Sequence, residues 1–432
     1  DGSLKRESRT VYSSQFGPVV QWPGKLDWDT QHAFSLRDAN LGNDRVLQQW
    51  YVMNRAANLK EFQASVHTVQ GIPWVNTIAA DDQGQSLYMN LSVVPNVSLK
   101  KLAQCSDPRA GLQFIVLDGS NSACAWDIDP RAAQAGIFPA DQLPQLERSD
   151  YVQHSNDSAW MTNPKAPLSG FSPLISQDTV ELGPRSRFAL QRLQQLDPQP
   201  ITAADLQNMV MDNQVYLASQ VMPDLLKFCE NAQGVEIKSV CESLKNWDQH
   251  ANLDSEVGLV HFINLMAQLQ QVPDVWRVNF DPAQPQTTPR GLAIDRAPVV
   301  KALREAMQAS AAEVATLGLK AGSQWGDIQV SGQTPIHGGP QRLGIYNAMQ
   351  SVPRADGKRE VVSGSSYLQI VTFDDKGPHA EGVLAFSLSS DPASKYSKDQ
   401  TQLFSGKKLS PLPFTEQQIE ADPQYQLQVI RE

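Results

Sequence analysis

Residues 151–160 read YVQHSNDSAW and run directly into MTNPKAPLSGFSP at 161–173. Neither the 3.6-residue period of a helix nor the two-residue alternation of a strand fits this stretch, so its side chains are expected to serve a site more than a core. Its chemistry is concentrated in the step Asn156-Asp157, flanked by Ser155 and Ser158 and closed by Trp160. On spacing alone Asn156 reads as a turn residue or, in Asn156-Asp157-Ser158, as a glycosylation acceptor.

Two upstream stretches extend the pattern: LRDANLGNDRVLQQWY at 36–51 and GIPWVNTIAADDQG at 71–84. Taken together, the three resemble the β-subunit of a penicillin-acylase-type N-terminal nucleophile hydrolase, and within that superfamily the acyl-homoserine lactone and aculeacin acylases. The resemblance runs from about Tyr12 onward. It implies an α+β fold, an αββα sandwich with a helical insertion, of which this chain is most of the β-subunit. It also implies a Ser, Cys or Thr nucleophile whose own α-amino group is the base. Asp1-Gly2-Ser3 does not supply one, so the expectation is that the nucleophile sits on a separate upstream piece and that DGSLKRESRT is an exposed, nicked loop. The implied partners are the α-subunit and the N-terminal segment of the β-subunit from the same precursor, without which the chain is expected to be inactive.

Site roles follow residue by residue. Asn156 matches the oxyanion Asn. Arg185, in Gly183-Pro184-Arg185-Ser186-Arg187, resembles the arginine that orients that Asn, with Arg187 as the other possible match; a guanidinium fork holds acceptors at fixed geometry. Trp50, Trp74 and Val75 resemble residues lining the acyl-chain pocket of long-chain acylases, where each buried methylene gains about 0.8 kcal/mol; ordinary core is the competing reading. His154 stands where relatives usually carry Asn. The implied reaction is hydrolysis of the amide of a long-chain N-acyl-homoserine lactone in the periplasm, serving quorum quenching or siderophore maturation. Alternatives are a β-lactam or aculeacin-type lipopeptide acylase, and a non-catalytic secreted binding module of the same fold.

Composition sets limits. With 432 residues, 41% hydrophobic and 19% charged, the chain can bury a large core. A net charge of −10 argues against a nucleic-acid partner, and apolar runs are too short for a membrane span. Seven scattered histidines show no metal-ligand spacing, so no metal and no cofactor are expected. Cys105 with Cys124 and Cys229 with Cys241 suit two local disulfides and an oxidising compartment, four buried thiols being the alternative.

Three parts are expected: 1–200, with a hairpin, a surface excursion and the Asn156 segment; 201–320, mainly helical; and 321–432, strand-rich. In detail, the pattern predicts a strand over Thr10–Val20 broken at Gly17-Pro18, and a helix over Arg45–Phe62. A hairpin turns at Asp81-Asp82-Gln83-Gly84, and a helix is capped by Thr202. Further helices open at Pro223 and, capped by Asp295, over Arg296–Leu317. Asp38 is expected to pair with Arg37.

Overall fold

The computed structural model describes residues 4–107, 115–196 and 200–431; Asp1-Gly2-Ser3 lies outside the described residues. The chain divides into two units. One comprises the chain up to His154 together with Ser158–Asp178, the other Ser155–Asp157 together with the chain from Thr179 onward.

In the first unit, β1 (Ser13–Ser14), β2 (Gly17–Val20) and β3 (Phe34–Ser35) form a small antiparallel sheet. Gly17-Pro18 does not break a strand but opens β2, pairing with Ser13 and Ser14. The turn is Gln15-Phe16, and Gly17 adopts φ +134, with no room for a Cβ against the Leu36 carbonyl. The single helix expected over Arg45–Phe62 is two: α1 (Val46–Met53) and α2 (Leu59–Val69). The break has a local cause, since Asn58 caps α2 by accepting from the Glu61 N–H while Glu61 accepts from the Ala57 N–H. The expected hairpin is present as β4 (Thr77–Ala80) and β5 (Ser86–Met89), with Asp81 Oδ1 accepting from the N–H groups of Gln83 and Gln85. After α3 (Leu99–Cys105), β6 (Gln145–Arg148) adds to β5. Val66, Ile72, Leu87, Met89, Leu91 and Leu143 form the core of this unit. Asp38 does not pair with Arg37: it caps the short turn Ala39–Gly42 through the Asn40 N–H, and Arg37 stacks 3.8 Å over Trp126. Capping satisfies a backbone donor, and the aromatic face takes the cation.

The second unit begins its regular structure with α4 (Pro184–Leu196), and its helical layer is α5 (Ala203–Met211), α6 (Tyr216–Glu230), α7 (Val235–Asn246), α8 (Gly258–Leu269) and α9 (Ala297–Thr316). Thr202 caps α5 in a full capping box with Asp205. Pro223 does not open a helix; it lies inside α6. The buried stripe Tyr216, Leu217, Val221, Met222, Leu225 and Phe228 continues past it at helical spacing, and each fully buried large apolar side chain is worth about 1.5–3 kcal/mol, which offsets a lost backbone bond. The next residue, Asp224, is buried; its carboxylate accepts from the Leu292 N–H at 2.9 Å and pairs with Arg277 at 3.2 Å. Those groups tie α6 to the hairpin of β7 (Trp276–Val278) and β8 (Arg290–Leu292), whose connection is the proline-rich loop. Asp295 does not cap α9; the cap position is Arg296, without a side-chain cap bond, and Pro298 sits in the first turn.

Beyond α9 the chain turns to strands. β9 (Gln329–Ser331), β10 (Thr334–Pro335), β11 (Met349–Pro353) and β12 (Arg359–Gly364) form one sheet in the order β10-β9-β12-β11, with β9 and β12 parallel. β13 (Tyr367–Asp374), β14 (Gly377–Leu384) and β15 (Ser410–Leu412) form another. Both cysteine pairs are bonded, Cys105–Cys124 and Cys229–Cys241, with Cα atoms 5.5 and 5.6 Å apart. Among the described residues no helix is long and apolar enough to cross a membrane.

Candidate active site

Asn156 occupies the left-handed region, φ +65, which Asn tolerates better than most side chains. The tripeptide Ser155–Asp157 belongs to the second unit, and Asp157 is what anchors it there. One oxygen of Asp157 accepts from the Gly183 N–H at 2.9 Å and from the Ser186 hydroxyl. A Cβ at Gly183 would sit 3.1 Å from that oxygen, so a larger residue there would press on the Asp157 carboxylate. Gly183 and Ser186 bracket the first turn of α4, and the residue between them that faces back is Arg185.

Arg185 donates from Nη2 to Asn156 Oδ1 at 2.8 Å. A guanidinium only donates, so this bond fixes which end of the amide is oxygen; the side-chain polar hydrogens of Asn156 then lie on Nδ2. Burial pulls the Arg185 guanidinium below its ordinary pKa, with the Asp157 carboxylate acting in the opposite sense. The group stays charged, and its Nε is buried without a hydrogen-bond partner. Arg187, two residues on, is 3% exposed and donates to the Gln286 carbonyl.

Asn156 and Arg185 open onto a cavity of about 410 Å³, also lined by Ile263, Trp325, Arg342, Ser351 and Arg359. That volume is in the range of small-molecule sites. Arg359 is held in place by two bonds to Ser351, to Oγ at 3.1 Å and to the carbonyl at 2.9 Å. Three guanidinium groups and one carboxylate, Asp157, make the wall favour negative charge. Asp157 and Gly183 were visible in the sequence as neighbours of Asn156 and Arg185. Arg342 and Arg359 gave no signal, because only the folded β-rich part brings them to residue 156.

Trp50, Trp74 and Val75 belong to the first unit, where all three are exposed, Trp74 most at 76%. His154, also in that unit, stacks on Tyr88 with ring centres 5.5 Å apart. Tyr88 in turn donates to Asn76 Oδ1 at 2.6 Å, and burial raises its hydroxyl pKa well above the ordinary value. Among the described residues no cluster of three or more His, Cys, Asp or Glu has the arrangement to hold a metal ion.

The family model "Penicillin amidase" matches residues 1–421. An acyl-homoserine lactone acylase PvdQ of Pseudomonas fluorescens is 69% identical over 437 residues, covering 100% of this chain and 56% of that protein. One from Pseudomonas putida is 55% identical over 433 residues, again with 100% and 56% covered. Aculeacin-A acylase of Actinoplanes utahensis is 34% identical over 439 residues, covering 96% of this chain and 55% of the relative. The chain thus spans about half the length of these relatives. A solved structure, thermostable penicillin G acylase from Alcaligenes faecalis, superposes with a TM-score of 0.59 at 15% identity, covering 100% of this chain and 80% of that one, and shows the fold to be the same.

Proposed function

Because this chain belongs to the penicillin amidase family, we propose that it is part of an amidohydrolase that removes the fatty acyl group from N-acyl-homoserine lactones, in the periplasm. The observation that carries the reading is the Arg185–Asn156 bond, which commits the amide carbonyl to the guanidinium and makes Nδ2 the end of the amide that donates. The family, the names of the similar proteins and the two disulfides of an oxidising compartment support it.

In the proposed mechanism the nucleophile, a Ser hydroxyl on the remaining part of the protein, attacks the amide carbonyl carbon as its proton passes to its own α-amine. The carbonyl electron pair moves onto oxygen, and the Asn156 Nδ2–H donates to that oxyanion. Collapse expels the head-group amine, which takes the proton, and leaves an acyl-enzyme. Water then attacks the ester and releases the fatty acid. Asp157 holds the Asn156 segment, and Arg185 holds the amide's orientation. The acyl chain is taken by an apolar pocket to which Trp50, Trp74 and Val75 contribute, with quorum quenching or siderophore maturation as the process served.

The test is substrate profiling of the complete protein, the remaining subunit and segment included. Long-chain N-acyl-homoserine lactones are expected to turn over in preference to penicillin G and aculeacin A. Preference for either of the latter would redirect the assignment within the family, and absence of any amidase activity would favour a binding role. This chain alone is expected to be inactive.

A further inference from the structure

A second cavity, about 320 Å³, lies between α4, α6 and the loop that precedes β8. Arg187, Gln191 and Gln194 present one face of α4 at helical spacing, Tyr216 and Gln220 do the same on α6, and Gln286 to Arg290 closes the third side. Two arginines and no acidic side chain line it. Arg187 is 3% exposed; its Nε donates to the Gln286 carbonyl at 3.3 Å, its guanidinium lies 5.3 Å over the Tyr216 ring, and its Nη2 is buried with no hydrogen-bond partner. Arg290 spends one nitrogen on the Thr287 carbonyl at 3.1 Å, and among the described residues neither it nor Arg187 forms an ion pair with a carboxylate.

A buried guanidinium without an ion-paired carboxylate is a costly arrangement, and native proteins pair such groups. Glu181 favours the charged form of Arg187 through space but forms no ion pair with it, and the buried Asp224 is held by Arg277 and the Leu292 N–H. We propose that this cavity is an oxyanion-binding site in which Arg187 and Arg290 clamp a carboxylate or phosphate group. The planar fork of Arg187 offers the unused Nη2 at the floor, Arg290 adds a second charge at the wall, and the glutamine amides supply neutral donors around it. The anion is either a free small molecule or an Asp or Glu side chain from the part of the protein outside this chain.

The experiment is calorimetric titration of the complete protein with acetate and with inorganic phosphate, on the unaltered protein and on Arg290→Gln and Gln220→Glu. Arg187→Gln is avoided as the main probe because so buried a change can unfold the helix pair; Gln220 is only partly buried and places an acid inside the cavity. For a free anion, one-site saturable binding is expected, weakened at least tenfold by Arg290→Gln and abolished by Gln220→Glu, which should also raise the melting temperature in anion-free buffer. For a side-chain anion, neither probe binds, a crystal structure of the complete protein places an Asp or Glu against Arg187, and changing that residue to Ala opens the site to acetate. Binding that ignores both variants, or an empty cavity with Arg187 covered only by water or apolar groups, overturns the proposal.

Discussion

Arg185→Ala isolates what holds the candidate oxyanion donor in place. The side chain makes one charge-assisted bond, 2.8 Å long, from a partly buried guanidinium to the exposed Asn156 amide. A hydrogen bond to a charged group contributes about 1.5–3 kcal/mol. Taking about 2 kcal/mol as the share that reaches the transition state, loss of orientation should lower kcat by roughly 30-fold. Asn156→Ala removes the donor itself and should cost about 3 kcal/mol, a hundred- to thousandfold fall. If Arg185 acts through Asn156, the double variant should be no slower than Asn156→Ala alone, giving a coupling of about 2 kcal/mol. The assay is steady-state release of homoserine lactone by the complete, processed protein, with melting temperatures to confirm that each variant is folded. Additive losses, about 5 kcal/mol in the double variant, would refute the positioning role. So would Arg185→Ala kinetics in which only KM moves.

Other expectations follow from the same geometry. Gly183→Ala puts a Cβ 3.1 Å from an Asp157 oxygen that two bonds hold in place, so kcat should fall several-fold while KM changes little; unchanged turnover would mean the segment yields. Burial pushes His261 and His337 down to about 4, from an ordinary value near 6.5. Between those values the unfolded chain binds more protons than the folded one, so stability is full above pH 6.5 and is lost as pH falls towards 4, by roughly 3 kcal/mol for each group. Urea titrations across that window should show the slope, and His261→Gln should reduce it. Removing the Cys229–Cys241 bond, which closes a loop of 12 residues' separation, should cost about 3 kcal/mol of stability. Trp74→Ala should lower kcat/KM for long acyl chains more than for short ones, and equal losses across the chain-length series would remove Trp74 from the pocket.

Local chemistry was the legible part of the sequence. The Asp81 turn, the Thr202 capping box and the strands after residue 320 are written in side chains that act on their immediate neighbours, and the structure contains them. The Asn156–Arg185 bond joins two residues that the family pattern around Asn156-Asp157 and Gly183-Pro184 had singled out. The misses share one cause, competition that a window of sequence does not contain. Asn58 and Glu61 satisfy each other and split a continuous apolar pattern into α1 and α2. The buried stripe of α6 outweighs the breaking tendency of Pro223. A helix donor proved a better partner for Asp38 than the adjacent Arg37, whose guanidinium found Trp126. The cavity walls at Arg342 and Arg359, and the pocket around the buried Arg187, depend on contacts more than 100 residues apart in part and were beyond any local reading.

The most direct test of the proposed activity is mass spectrometry of the products when the complete protein is given a long-chain N-acyl-homoserine lactone. Free fatty acid and intact homoserine lactone are expected, with formation of both slowed a hundredfold or more by Asn156→Ala. N-acyl-homoserine from lactone opening, or fatty acid release that Asn156→Ala leaves untouched, would contradict it.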